Sequence, residues 1–334
     1  DGTAEITRYR GSAKFLEIPG KLNCLVVTRI GDEAFSWCGN LTSISIPVGV
    51  TRIGDGAFYG CENLTSISIP DSVNDIGENP FSDCVNLNQV VVRPDHPALA
   101  TIDGVLFNKA DKRLIWYPVS REDTLYEIPQ GIQSIGAGAF SGCENLTGIS
   151  IPAGVTSIEN YAFSWCENLT SISIPDSVTS IGDSAFFMCK NLTNISIPDS
   201  VTSIGDRVFY GCWNLASISI PDSVTSIGTW TFSRCENLTG ITIPDSVTRI
   251  GAGAFSGCEN LTSISIPDSV TSIRDVTFLE CKNLTNIIIP ANVTSIGDEA
   301  FSGCEKLISI TVPDSVTSIG DWAFEGCSSL KKVI

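Results

Sequence analysis

LTSISIPDSVTSIGDSAFFMCKN, residues 169–191, is the stretch that decides the fold. It returns with small changes along the chain, and cysteines at 166, 189 and 212 mark a period of 23 residues. A fixed period of this length is typical of a solenoid, because one unit cannot bury its apolar face alone and must stack on its neighbours. The sequence therefore predicts a one-dimensional array of coils.

Each coil contains an alternating segment, a turn and a corner. Ile172 and Ile174 alternate with serines, so we expect a strand with isoleucine inside and serine outside. Pro175 favours a turn, and residues 178–181 predict a second short extended segment. The segment at 184–189, SAFFMC, fits a single helical or 3-10 turn. The predicted fold is an α/β-type repeat solenoid, curved and right-handed, with 23-residue coils, a parallel β-sheet, about thirteen turns and short helical corners.

The repeat also indicates the domain organisation. Residues 1–14 lack it and are predicted to be an N-terminal leader or cap. Residues 15–334 form a single solenoid, interrupted by an insertion at about 94–124. Within the insertion, GVLFN at 104–108 and RLIWYP at 113–118 flank a polar turn, which predicts a β-hairpin. We expect this hairpin to project from the side of the solenoid.

Charge and hydropathy exclude two classes of partner. The net charge is −17, which argues against nucleic acid and against an anionic membrane surface. No run of 18 apolar residues is present, so membrane insertion is not predicted.

The cysteines resemble a disulfide framework until their spacing is considered. Every cysteine except Cys24 occupies one repeat position, from Cys38 to Cys327. In a stack these would form a column about 4.8 Å apart with parallel Cβ vectors, which is poor disulfide geometry. Buried free thiols are therefore favoured over a disulfide chain, and for Cys24 a packed side chain is favoured over a reactive thiol. A recurring asparagine, from Asn40 to Asn283, is expected to form a buried column that bonds the neighbouring loops.

The sequence contains no constellation that predicts catalysis. His96 is the single histidine, on a loop where we expect it to be exposed, and no phosphate-binding glycine motif is present. Carboxylates recur as a stripe of turn residues from Asp176 to Asp268, for which solvated turns are favoured over a weak Ca²⁺ site. We predict no enzyme, no catalytic, cofactor-binding or metal-binding residues, and no cofactor.

The copies differ most beside the repeated phenylalanine and cysteine. Four successive coils carry large side chains where other coils carry serine or glycine. An exposed aromatic patch with an arginine has the composition of a protein-binding hot spot, although the rings could instead pack between coils. The outward serine face of the main strand is a second possible binding surface. The partner-binding candidates are Trp165, Phe187, Met188, Tyr210, Trp213, Trp230 and Arg234.

The unit L-x-x-I-x-I-P-x-x-V-x-x-I-G-x-x-A-F-x-x-C-x-N resembles the leucine-rich repeats of BspA-like bacterial surface proteins, over residues 15–334. The insertion is also similar to that family, in IDGVLFNK at 102–109 and LIWYP at 114–118. The resemblance implies an extracellular or surface-displayed, non-enzymatic protein. Relatives are associated with adhesion to host matrix proteins, epithelial cells or other bacteria.

Three functional hypotheses follow. The leading one is a non-catalytic cell-surface or secreted protein-interaction module, an adhesin whose partners are proteins or glycoproteins at host or bacterial surfaces. Because the repeat pattern stops within a strand, there is room for an anchor or further domains downstream. The alternatives are therefore a rigid stalk for another domain, or an accessory region of a secreted enzyme.

Overall fold

The structure is a computed structural model that describes residues 2–333; Asp1 and Ile334, the outermost residues of the predicted leader and solenoid, lie outside the described residues. The chain winds into a parallel-sheet solenoid of about 14 turns, which confirms the predicted repeat architecture. A regular coil adds one three-residue strand to a first row and one two-residue strand to a second row. Parallel register places like residues together, so Ile149, Ile172 and Ile195 are direct partners.

The first row is divided at the insertion into sheets of four and eight strands, followed by a final pair. The four strands are Phe15–Glu17, Ser43–Ser45, Ser66–Ser68 and Gln89–Val91. The eight are Leu125–Glu127, Gly148–Ser150, Ser171–Ser173, Asn194–Ser196, Ser217–Ser219, Gly240–Thr242, Ser263–Ser265 and Asn286–Ile288. The final pair is Ser309–Ile310 and Lys332–Val333.

The second row begins inside the segment predicted as a leader or cap. Its first sheet contains Thr3–Ile6, Lys21–Leu22, Leu25–Ile30, Arg52–Ile53 and Asp75–Ile76. Its second contains Leu99–Ile102, Val105–Asn108, Arg113–Trp116, Ser134–Ile135, Ser157–Ile158 and Ser180–Ile181. The remaining strands are Ser226–Ile227, Arg249–Ile250, Ser272–Ile273, Ser295–Ile296 and Ser318–Ile319.

A phenylalanine from each regular coil forms the centre of the core. From Phe140 to Phe324 the rings stack face to face, with centroids 5.2 to 5.6 Å apart. The cysteine column lies beside this stack, and where the preceding coil has the repeat phenylalanine, the thiol donates to its carbonyl, as Cys189 does to Phe163 at 3.1 Å. The thiol is therefore used as a small buried group with one weak hydrogen bond.

The predicted helical corner is wrong. We use "corner segment" for the six residues that end at the repeat cysteine, such as 161–166; the described corner segments form turns, not helix. The N–H groups of Tyr161, Phe163 and Trp165 donate to carbonyls of the next coil at 2.9, 2.8 and 2.7 Å. The N–H groups between them close turns within their own coil. A helix would satisfy its N–H groups internally, so it could not supply these bonds between coils.

The insertion does not project from the side as we expected. Its three strands form an antiparallel meander, whose last strand pairs in parallel with Ser134–Ile135. Leu106 and Trp116 pack in the core of the N-terminal half, whereas Phe107 and Tyr117 pack in the core of the C-terminal half. Strand Val105–Asn108 is buried on both faces. The insertion is therefore a septum, a layer of strands that separates two hydrophobic cores. Its sequence is rich in apolar residues because both of its faces are covered.

His96 is buried, which corrects the expectation of an exposed loop histidine. Its Nδ1 accepts hydrogen bonds from the N–H groups of Ala98 and Leu99, at 3.2 and 3.1 Å. Nε2 must then carry the proton, and it donates to the carbonyl of Pro70 at 3.1 Å. The histidine ties the start of the insertion to the preceding coil.

Adjacent residues of the septum should destabilise opposite halves of the molecule. We expect Leu106→Ala to cost about 2–5 kcal/mol and to speed amide exchange in the coils before the insertion. Phe107→Ala should cost about 3–5 kcal/mol and speed exchange in the coils after it. Hydrogen exchange followed by mass spectrometry would show the difference, and equal effects of both variants on both halves would contradict the septum.

Candidate functional site

Each corner segment has two residues with left-handed backbone, four positions apart. In one coil these are Tyr161 and Trp165, with φ of 57° and 60°, and in the coil before they are Gly138 and Gly142. A residue with a Cβ costs roughly 1–2 kcal/mol in this conformation, whereas glycine adopts it freely. A large side chain at one of these positions therefore adds backbone strain that glycine at the same position would avoid.

Four of the seven candidate residues occupy such positions. Trp165, Met188, Trp230 and Arg234 have φ between 57° and 60°. The sequence showed that these side chains were unusual but could not show the backbone strain, because the corner was expected to be helical. Strain of this kind persists where the surrounding structure holds it and is concentrated at functional sites.

Five of the candidates come together on neighbouring coils. The Trp165 ring meets Phe187 edge to face at 5.7 Å, and Phe187 stacks on Tyr210 at 5.0 Å. Met188 lies across Gly211, and its N–H donates to the carbonyl of Tyr210 at 2.7 Å. We call Trp165, Phe187, Met188, Tyr210 and Trp213 the aromatic cluster.

A lysine that the sequence reasoning missed connects the two tryptophans of the cluster. Nζ of Lys190 lies 5.6 Å from the ring centroid of Trp165 and 5.0 Å from that of Trp213. The same ammonium pairs with Glu167 at 2.6 Å. A cation between two ring faces is attracted to both, so Lys190 holds the rings in position.

Trp230 and Arg234 lie apart from the aromatic cluster. The Trp230 ring covers Gly253 of the next coil, and Arg234 covers Gly257. Among residues 2–333 no ring contact joins Trp230 to the cluster. These two candidates therefore form a separate feature, in which a glycine in the next coil leaves space for each large side chain.

The aromatic cluster is neither a fully exposed patch nor fully packed between the coils. Trp165 is 43% and Trp213 37% exposed, whereas Phe187, Met188 and Tyr210 are partly buried. The rings thus pack against one another and still present faces and edges to solvent. An aromatic surface held in this way loses little conformational freedom when it binds a partner.

A second pair of rings occurs in the N-terminal half. Trp37 meets Tyr59 edge to face at 5.0 Å and is 65% exposed. It occupies the same repeat position as Trp165, and Gly60 lies beneath it. Comparison of that repeat position across all the coils could have found this pair from the sequence.

The asparagine column is not buried, so that expectation is wrong. Its side chains lie on the surface as an amide ladder, in which Asn214 donates to Asn191 at 2.9 Å and Asn237 donates to Asn214 at 3.0 Å. Nearer the start the same position bonds backbone, as Asn168 does to the carbonyl of Glu144 at 2.8 Å. The ladder satisfies the hydrogen-bonding groups of the exposed loops, because the amide N–H of one coil donates to an oxygen of the coil before it.

The cysteine column consists of free thiols, as predicted. Burial raises the pKa of Cys166 and of Cys258 to about 12. Cys24, for which a packed side chain was favoured, is exposed instead. Its backbone is left-handed, with φ of 68°, in the turn between two short strands.

The serine face of the first row also has a groove. This open groove has a volume of about 700 Å³ and runs along the strands between Leu125 and Asn194, above Ser150 and Ser171. Leu125 is 72% exposed at one end of it. The turn carboxylates of the acidic stripe are exposed, and within residues 2–333 no three His, Cys, Asp or Glu side chains converge as metal ligands would.

No helical segment in the described part of the chain has the length and hydropathy needed to cross a bilayer.

Comparison with known proteins agrees with this architecture. Six copies of the BspA type leucine-rich repeat region match residues 27–113, 123–239 and 202–331. A leucine-rich cell surface protein from Faecalibacterium prausnitzii is 30% identical, with 99% of this chain and 90% of that chain covered and a TM-score of 0.59. A leucine-rich repeat protein from Bacteroides ovatus has the same identity and coverage and a TM-score of 0.61. No curated protein matches the chain.

The thiols should differ sharply in reactivity. Cys24 is exposed, whereas Cys38 and Cys327 at the column ends are half-buried with a raised pKa and the other thiols are buried; we therefore expect one fast-reacting thiol in the folded chain, counted with a chromogenic thiol reagent at pH 8, and its loss in Cys24→Ser. Thiols in an unfolded chain ionise at about pH 8.5. Because burial raises the pKa of Cys166 to about 12, this thiol stabilises the folded state below about pH 8.5, and that stabilisation is lost as the pH rises toward 12. Several fast thiols in the native protein would contradict a sealed column.

Proposed function

The chain belongs to the BspA-type leucine-rich repeat family of protein-interaction scaffolds, and we propose that it is a non-catalytic, secreted or cell-surface module that binds a protein partner through the aromatic cluster. Its partners are proteins or glycoproteins of host matrix, epithelial or other bacterial surfaces, which makes it an adhesin. The family resemblance supports the surface location, as does the similarity to the cell surface protein of Faecalibacterium prausnitzii.

The aromatic cluster is the observation that carries the proposal. Two coils after the cluster, Ser256 and Gly257 stand at the positions that Tyr210 and Trp165 occupy in their own coils. Tryptophan, tyrosine and methionine are enriched at the centres of protein interfaces, because they bury much area with few rotatable bonds. The strained backbone of Trp165 and Met188 indicates that these side chains are kept at some cost to stability.

The parallel-sheet solenoid also presents this surface rigidly. The cluster lies on consecutive corner segments that bond one another through their N–H groups, as Met188 does to Tyr210. A partner can therefore contact several coils at once without first ordering a loop, which lowers the entropy cost of binding.

A rigid stalk is the second candidate function. It is favoured by the phenylalanine stack and the coil-to-coil hydrogen bonds, which continue far beyond the cluster to Phe301 and Phe324. A stalk needs such a continuous ladder but makes no use of exposed rings. The two functions therefore differ in what removal of the rings would change.

Removal of three rings should abolish binding and leave the fold intact. We expect the triple variant Trp165→Ala, Tyr210→Ala and Trp213→Ala to lose capture of matrix proteins and of epithelial surfaces, by more than about tenfold. Trp322→Ala is the matched control, because Trp322 is 65% exposed and lies outside the cluster.

Circular dichroism of both variants should match that of the unaltered chain. A triple variant that is folded and still captures its target would contradict the proposal. A triple variant that is unfolded would show that the rings serve packing, and an absence of capture by the unaltered chain would favour the stalk.

A further inference from the structure

The insertion leaves a notch in the row of corner segments. The N–H of Tyr117 donates to the carbonyl of Ala139, the bond that phenylalanine makes in a regular coil, so Tyr117 stands in the phenylalanine position. The chain reaches it directly from Leu114, the partner of Ile135, without the protruding residues of a regular corner. Asn79 of the preceding coil consequently reaches Gly138 of the following one.

Aromatic rings form the two walls of this notch, and small hydroxyl groups line its floor. The notch is open to solvent on one side and has a volume of about 320 Å³. Tyr59 lies on one side, Tyr161 and Trp165 lie on the other, and Ser82 and Ser141 lie between them. The volume is at the small end of the range for ligand sites, which admits a compact ligand and not a peptide strand.

One polar group of the notch is a buried acceptor that lacks a donor. Oδ1 of Asn79 is buried and has no hydrogen-bond partner within residues 2–333. Asp83 adds a carboxylate, and burial, a hydrogen bond to Asp83 and the charge of Asp83 together raise the pKa of the Tyr59 phenol to about 12. No lysine or arginine lines the notch. A ligand that fits must donate hydrogen bonds and carry no negative charge.

Four of the left-handed residues that the corner segments contribute in pairs line the notch. Asn79, Asp83, Tyr161 and Trp165 all have left-handed backbone, with φ from 48° to 60°. In the coil between the two pairs, the same positions are held by glycine. Four strained residues thus face one another across a relaxed coil, the pattern expected where side chains are held for binding.

We propose that this notch binds one neutral sugar ring. A pyranose has apolar C–H faces that stack on aromatic rings, whose faces carry partial negative charge, and hydroxyl edges that donate to amide and carboxylate oxygens. Asp83 and the net charge of −17 disfavour acidic sugars. The inference deepens the proposed function, since it would make the glycan of a surface glycoprotein part of what the chain recognises.

The test uses the full chain on a printed array of neutral and sialylated oligosaccharides. Tryptophan fluorescence titration with the methyl glycoside of each bound sugar would then give affinities. We expect binding to neutral sugars, weakened at least about tenfold by Trp165→Ala and by Asn79→Gly, which removes the amide but relaxes the backbone. Ser141→Arg should block the notch without removal of a ring.

Trp213→Ala separates this inference from the proposed function. Trp213 belongs to the aromatic cluster but does not line the notch, so this variant should bind sugar normally while it loses capture of protein. Thermal unfolding would verify that each variant is folded. The inference is overturned if the folded chain binds no neutral sugar, if sialylated sugars bind more tightly, or if Ser141→Arg and Asn79→Gly both bind like the unaltered chain.

Discussion

The bond from a corner N–H group to the carbonyl of the next coil is the interaction on which the rest of the structure depends. It brings consecutive coils into the distance at which the phenylalanine rings stack, and it requires left-handed backbone twice in every corner segment. Because of these bonds and the short parallel strands, the backbone N–H and carbonyl groups of a coil are hydrogen-bonded only when another coil is stacked on it. This dependence explains why the repeat tolerates so little change at Phe186, Cys189 and their equivalents.

Parallel stacking also controls where the surface can vary. Each side chain lies against its counterpart one coil on, so a large residue at a left-handed position needs space in the next coil. Trp37 is followed by Gly60, Trp230 by Gly253 and Arg234 by Gly257. Trp165 is followed by Met188 instead of glycine, and Phe187 takes up the ring contact. The aromatic cluster arises where large side chains occur on consecutive coils without the glycine that would separate them.

Much of the scaffold could be predicted from the sequence, because periodicity is a local signal. The columns of Ile172, Phe186 and Cys189 followed from the 23-residue period, and the family assignment from the repeat unit was confirmed. The corner was mispredicted, because spacing alone does not tell a helical turn from one whose N–H groups serve the next coil. The septum, buried His96 and the exposed asparagine ladder depend on which coil lies opposite. Such contacts between distant residues leave no trace in a single repeat.

The candidate site was predictable only in part, for the same reason. The seven exceptional residues were identified by comparison of the copies, but their separation into a cluster and an isolated pair depends on stacking. Lys190 was missed because it looks ordinary within its own coil, whereas Trp37 occupies the repeat position of Trp165 and could have been found by comparison of the copies. The notch combines residues from both sides of the insertion, so no single stretch of sequence contains it.

One pair of adjacent residues tests most directly the division between a stacked scaffold and a variable surface. Phe209 is fully buried in the phenylalanine stack, whereas its neighbour Tyr210 lies in the aromatic cluster. Urea unfolding of the two alanine variants compares their free energies of unfolding on the same coil. The stacking picture predicts a loss of about 3–5 kcal/mol for Phe209→Ala and less than about 1.5 kcal/mol for Tyr210→Ala. Equal losses, or a larger loss for Tyr210→Ala, would contradict it.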